Sequence, residues 1–259
     1  MAFANIPKLE QRGNIEALQR IAARKRDKDA PSAMDALGRI GSEEAALALL
    51  TLSVNEDIRV WQRAQEVLRR FLNPSAVPAL TRALHSPDYA QAVTALHALR
   101  SIGGPEALEA LLTSLGDERL SSEALFCLSG RSENAVAEAL SSFLNDWLQK
   151  LESAEEGSRA EIFALGLSRR ALSALGSMGT PMAMQALQNF LRTKERAPQR
   201  LRREAARVIL SLGLPGQQIF AGFVGENLRD EGRLGLLLSE AASDAPFDVL
   251  LQNMEGEAA

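Results

Sequence analysis

Leu167-Ser-Arg-Arg-Ala171-Leu-Ser-Ala-Leu175-Gly-Ser-Met178-Gly179 is the stretch that decides the fold. It runs apolar, three spacers, Ala, three spacers, apolar, two spacers, apolar, then Gly. Leu201, Ala205, Ile209, Leu212 and Gly213 repeat it. So do Val60, Ala64, Leu68 and Phe71 and, with polar heads, Gln91, Ala95, Leu99, Ile102, Gly103 and Asp29, Ala33, Leu37, Ile40, Gly41. Offsets of four, eight and eleven hold residues on one face of an α-helix, so each phrase predicts one amphipathic helix with a glycine stop. Recurrence of the phrase predicts a stack of helical pairs.

The aliphatic residue after the alanine falls at Leu37, Leu68, Leu99, Leu128, Leu175 and Ile209, at intervals of 31, 31, 29, 47 and 34 residues. That period suits one helix pair with two turns. Between phrases lie start signals for a second helix: Ser42 with Glu43 and Glu44, Asn73-Pro74, Gly103-Gly104-Pro105-Glu106, and Thr180-Pro181. A side-chain cap followed by proline or acid in the first turn satisfies the free N–H groups and favours the helix dipole. Each unit is therefore a first helix carrying the phrase, a tight turn, a second helix, and a turn built on Asn55, Asp88 or Asp117.

Composition agrees. Aromatic residues make up only 5% of the 259-residue chain, Tyr89 is the single tyrosine, and strand-like alternation is nearly absent, so the class is all-α. The net charge of −4 argues against a nucleic-acid partner. The single cysteine, Cys127, cannot form an internal disulfide and falls in an apolar helical run, as a buried structural thiol does. No stretch reaches the ~18 apolar residues of a membrane span, and no basic-then-apolar leader is visible, so a cytoplasmic location is expected.

Here the chain resembles a known family, the HEAT-like repeats of the short kind named after phycobilisome lyase subunits. Ala36-Leu-Gly-Arg-Ile-Gly41 with Glu44-Ala-Ala-Leu-Ala-Leu-Leu50, and Ala98-Leu-Arg-Ser-Ile-Gly103 with Glu106-Ala-Leu-Glu-Ala-Leu-Leu112, carry the likeness, which extends from about Asn14 to about Leu228. Unit two departs with Leu72 at the turn glycine, and unit four with Ser129-Gly130-Arg131. The resemblance implies a right-handed α-α superhelix, a HEAT-like solenoid of about six to seven helical pairs. Residues 1–259 then form one domain: an N-terminal cap helix in 1–28, repeats in 29–228, and a C-terminal cap and tail in 229–259.

The 47-residue interval is the main irregularity. Sixteen residues beyond the 31-residue period, shared by two antiparallel helices, lengthen each by ~8 residues or ~12 Å. The lengthened pair is expected at about 133–178. Its surplus apolar residues, Trp147, Leu151, Ile162, Leu165 and Leu172, make a candidate contact patch for another protein or a second copy.

The chain offers little for catalysis. His85 and His97 lie in different helices without a His-x-x-x-His or His-Glu pair, whereas HEAT-like hydroxylases that hold iron repeat His-Glu pairs across units. No nucleophile elbow or phosphate loop is present, and Gly222-Phe-Val-Gly225 lacks the strand context of a dinucleotide site. Hence no catalytic residue, metal or cofactor is expected. The strongest charge feature, residues 192–207, has seven bases against Glu195 and Glu204. With Leu201, Ala205 and Ile209 buried, Arg196, Arg200, Arg203 and Arg207 line the opposite face: a binding ridge on one reading, a solvated helix back on the other.

A partner-binding scaffold without enzymatic activity is the leading expectation, its outward second-helix positions (Thr81, Arg82, Glu109, Gln185, Gln188) being mixed and mostly neutral. The resemblance also implies two alternatives. One is a bilin lyase, isomerase or phycobiliprotein-handling subunit. The other is a DNA-lesion binder, against which the acidic charge and two tryptophans count.

Overall fold

The computed structural model describes residues 5–24, 27–70, 73–192, 199–213 and 216, with backbone only at 192, 199, 200, 202 and 203. Expectations for Phe71, Leu72, Arg196 and the C-terminal cap lie outside the described residues. The chain is all-α, with thirteen α-helices and no strand among the described residues. Two compact units make it up, Met1–Leu128 and Ser129–Ala259.

In the first unit, α1 (Ile6–Gln11) and α2 (Ile15–Ala22) precede the repeats. The phrase helices are α3 (Ala30–Ile40), α5 (Ile58–Arg69), α7 (Tyr89–Ile102) and α9 (Ser121–Leu128), with second helices α4 (Glu43–Leu52), α6 (Val77–Ala83) and α8 (Gly104–Thr113) between them. In the second unit, α10 (Asn134–Ser153) and α11 (Arg159–Met178) form the lengthened pair, followed by α12 (Pro181–Arg192) and α13 (Gln199–Ser211). Phrase helices pack on phrase helices (α3 on α5, α5 on α7, α11 on α13), and second helices on second helices (α4 on α6, α6 on α8, α10 on α12).

The phrase is the core. Ala33, Leu37, Ala64, Leu68, Ala95, Leu99, Ala124, Leu128, Ala171, Leu175, Ala205 and Ile209 are each 1% exposed or less. Apolar burial on this scale, at roughly 25 cal/mol per Å² removed from water, drives the stacking. The caps act as the sequence requires. Ser42 Oγ accepts from the Ala45 N–H (3.2 Å), Thr180 Oγ1 from Ala183 (3.2 Å), and Asp88 Oδ1 from Ala90 and Gln91. Gly103 and Gly104 both take positive φ (69° and 82°), which lets α7 turn directly into α8.

Two boundaries differ from expectation. Asn73-Pro74 opens a 3-10 turn, Pro74–Ala76, because the Asn73 carboxamide accepts from Ser75, two residues on, and α6 starts only at Val77. The N-terminal segment holds α1 as well as α2; Asn5 caps α1 and Asn14 caps α2.

Neighbouring phrase helices interlock through small residues and polar rungs. A Cβ built on Gly38 would meet Val67 Cγ1 at 2.7 Å, and one on Gly176 would collide with Val208 Cγ1. Each glycine follows its phrase leucine, and each valine precedes the next phrase's aliphatic residue: one close approach made twice. The rungs join Asp35 to Arg63 (2.6 Å), Gln65 to Thr94 (3.5 Å), His97 to Glu123 (3.8 Å) and, in the second unit, Arg169 to Glu204 (3.8 Å). Arg63 also binds Glu66 (2.7 Å), whose carboxyl is held below the usual carboxylate range by that hydrogen bond.

Candidate docking grooves on the second helices

In the first unit, a groove of about 370 Å³ opens between α6 and α8. Its floor is apolar (Val77, Leu84, Ala110, Leu120), and these side chains are nearly closed off below. On α8, Glu106, Glu109 and Thr113 recur at helical spacing and are exposed along one wall; Pro78 and Thr81 of α6 form the other. His85 and Asp117 stand at one end. Hydrogen bonds from the Arg119 guanidinium (3.0 Å and 3.4 Å) hold the Asp117 carboxyl below its ordinary range. The same guanidinium donates to the Ser86 carbonyl at 3.3 Å, so that end is a tied-down turn.

In the second unit, α10 and α12 flank a groove of about 420 Å³. Ser141, Ser142 and Asn145 face it from α10, and Gln185 and Asn189 from α12, with Glu138 the only carboxylate lining it among the described residues. Hydroxyls and carboxamides donate and accept, so this wall can satisfy a peptide backbone without choosing a charge.

The outward positions expected from sequence divide between these sites. Thr81 and Glu109 line the first groove and Gln185 the second, while Arg82 turns away to pair with Glu43 on α4. The sequence missed Glu106 and Asp117, which make the first groove acidic rather than mostly neutral. Their spacing from Glu109 was legible, but their convergence with α6 was not.

The lengthened pair places its surplus apolar residues unevenly. Trp147, Leu151 and Leu172 are buried, Leu165 is half-buried and Ile162 is 64% exposed. Trp147 lies 5.8 Å from the Phe143 ring and 5.7 Å from Phe163, with Lys150 Nζ 4.1 Å over its face. Phe163, absent from the sequence expectation, is exposed beside Ile162. Of the basic ridge, Arg207 is exposed; Arg196 and the side chains of Arg200 and Arg203 lie outside the described residues.

Trp61 is only half-buried and lines a smaller cleft, of about 280 Å³, with Arg69, Tyr89 and His97. His97 is half-buried too, since stacking α7 on α9 sets its Nδ1 3.8 Å from Cys127 Sγ and its Nε2 3.8 Å from Glu123. Burial lowers its pKa from 6.5, with Glu123 pulling the other way. Both contacts are long, and Cys127 is fully enclosed. The geometry makes this line a rung between helices. No group of three or more His, Cys, Asp or Glu side chains among the described residues is arranged to hold a metal, and no described helix is long and apolar enough to cross a membrane.

Two family models match segments of the chain. HEAT repeats match residues 48–129, and the PBS lyase HEAT-like repeat matches residues 169–193. No curated protein matches the chain. Among solved structures, human deoxyhypusine hydroxylase in complex with glycerol is 15% identical, covering 92% of this chain and 98% of that one at a TM-score of 0.36. An engineered protein is 17% identical, covering 92% and 94% at a TM-score of 0.33. With six buried phrases and two matched segments, the chain carries HEAT-like repeats.

Proposed function

We propose that this chain is a non-enzymatic scaffold that binds a partner protein through its second helices. The supporting observation is that each unit leaves an open groove between consecutive second helices, α6–α8 and α10–α12, walled by side chains outside the core. Such a surface suits an extended or helical segment of a folded partner. The test is affinity capture from the native host with two groove-filling variants, Glu109→Trp and Gln185→Trp. Loss of the captured partner in either, with melting unchanged, supports the reading. Loss only in Arg207→Glu would move the interface to the basic ridge and overturn it.

A second reading rests on the exposed Ile162 and Phe163 beside Trp147: self-association through the lengthened pair. Light scattering should then show a dimer that persists at high salt and dissociates in Ile162→Glu. A monomer in the unmodified protein at every salt concentration would remove this reading.

A further inference from the structure

We infer that the α6–α8 groove takes a cationic amphipathic peptide segment, seating an aliphatic side chain on its floor and a Lys or Arg against Glu106 and Glu109. The inference rests on the scaffold reading and names the chemistry of its partner in the first unit.

The argument starts from register. Leu49, Leu80 and Leu111 are equivalent buried positions on α4, α6 and α8, spaced 31 residues apart. Two residues beyond them stand Thr51, Arg82 and Thr113. At the α4–α6 junction, Arg82 reaches back to Glu43, and the stack supplies its own countercharge. At the α6–α8 junction the corresponding residue is Thr113, and the position equivalent to Glu43 is Pro74. Glu106 and Glu109 are exposed there, and neither has an ion-pair partner among the described residues. The groove between them and α6 is floored by Val77, Leu84, Ala110 and Leu120, so an aliphatic group entering it leaves water. Two uncompensated carboxylates above an apolar floor complement a side chain with an apolar stem and a cationic head. An acidic segment would meet like charge along the same wall.

The α10–α12 groove supplies an internal control. It has similar volume but hydroxyl and carboxamide walls, and so lacks the charge preference.

The experiment measures fluorescence anisotropy of labelled Leu-Arg-Leu-Lys-Leu-Arg-Leu, with Leu-Glu-Leu-Glu-Leu-Glu-Leu as the acidic counterpart, on the full chain. The basic peptide should bind and the acidic one should not, and raising salt to ~0.3 M should weaken binding, since the carboxylates lie at the surface. Glu106→Gln with Glu109→Gln should weaken binding by about five- to tenfold. Glu56→Gln with Glu156→Gln removes the same charge outside both grooves and should change it by less than about twofold. Glu106 and Glu109 are exposed, so the first pair should melt as the unmodified protein does. Equal loss in both pairs, no loss in the first, or preference for the acidic peptide would overturn the inference. Host capture separates the two readings. Partner loss in Gln185→Trp but not in Glu106→Gln/Glu109→Gln would sink this inference and leave the scaffold standing. Retention in all groove variants would sink the scaffold itself.

Discussion

The two units solve the same packing problem and present different chemistry. Both bury an alanine and a large aliphatic at every phrase, and both cross one pair of phrase helices at a glycine against a valine. Yet the α6–α8 groove combines an apolar floor with Glu106, Glu109 and Asp117, whereas the α10–α12 groove is walled by Ser141, Ser142, Asn145, Gln185 and Asn189. The repeat constrains the inner face of each helix and leaves the groove positions free. Architecture is therefore common to the units, and groove chemistry is local to each.

That equivalence of cores is most directly broken by truncation. Leu99→Ala and Leu175→Ala should each cost about 2–5 kcal/mol, the range for a buried leucine that leaves a cavity. Denaturant titration checks this, and a loss below about 1 kcal/mol at either site would mean that the phrase is not an equivalent core in both units.

The glycine crossings sharpen the comparison. Gly176→Ala should destabilise by about 1–3 kcal/mol and Gly38→Ala by less, because the first new Cβ lies closer to its valine. Val208→Ala in the Gly176→Ala background should recover part of the loss. Additive losses in that double mutant would show that the helix backbones, not the Val208 methyl, set the spacing.

Groove identity should be transferable at smaller effect. Gln185→Glu with Asn189→Glu should give the second groove an affinity for the basic peptide several-fold above its starting value. Anisotropy measured in the Glu106→Gln/Glu109→Gln background reads this directly.

Ser168 tests packing with the opposite sign. It is fully buried on α11, and its hydroxyl has no hydrogen-bond partner among the described residues, so Ser168→Ala should raise stability by up to about 1 kcal/mol.

The smallest expected effect is the pH dependence set by His97. Burial depresses its folded pKa below 6.5, so the unfolded chain binds its proton first as pH falls. Stability from this group is complete above 6.5, declines as pH drops toward the folded value, and is flat below it. His97→Gln should flatten the slope of melting temperature between pH 7 and about pH 5. An unchanged slope would assign it to the carboxylates, whose depressed pKa values make their contribution fade in more acid solution.

Much of the fold was legible because helix signals are local. The phrase located α3, α5, α7, α11 and α13, and the extra interval located α10 and α11 to within a residue or so. It failed where a side chain had two good options: the Asn73 turn delayed α6. The grooves were much less legible. Thr81, Glu109 and Gln185 could be placed on outward faces, but nothing local said that Glu106, Asp117 and His85 would share a site with them. Nor could spacing reveal that His97 meets Cys127, 30 residues on.

By itself the sequence determined most of the helices, many of their caps and stops, and which face is buried, since those depend on neighbours within about a turn or two. Only the tertiary structure decided which outward faces converge, which carboxylates keep a countercharge, and which rings stay in contact with solvent. Those outcomes depend on side chains about thirty residues apart, which meet only when one helix pair has stacked on the next.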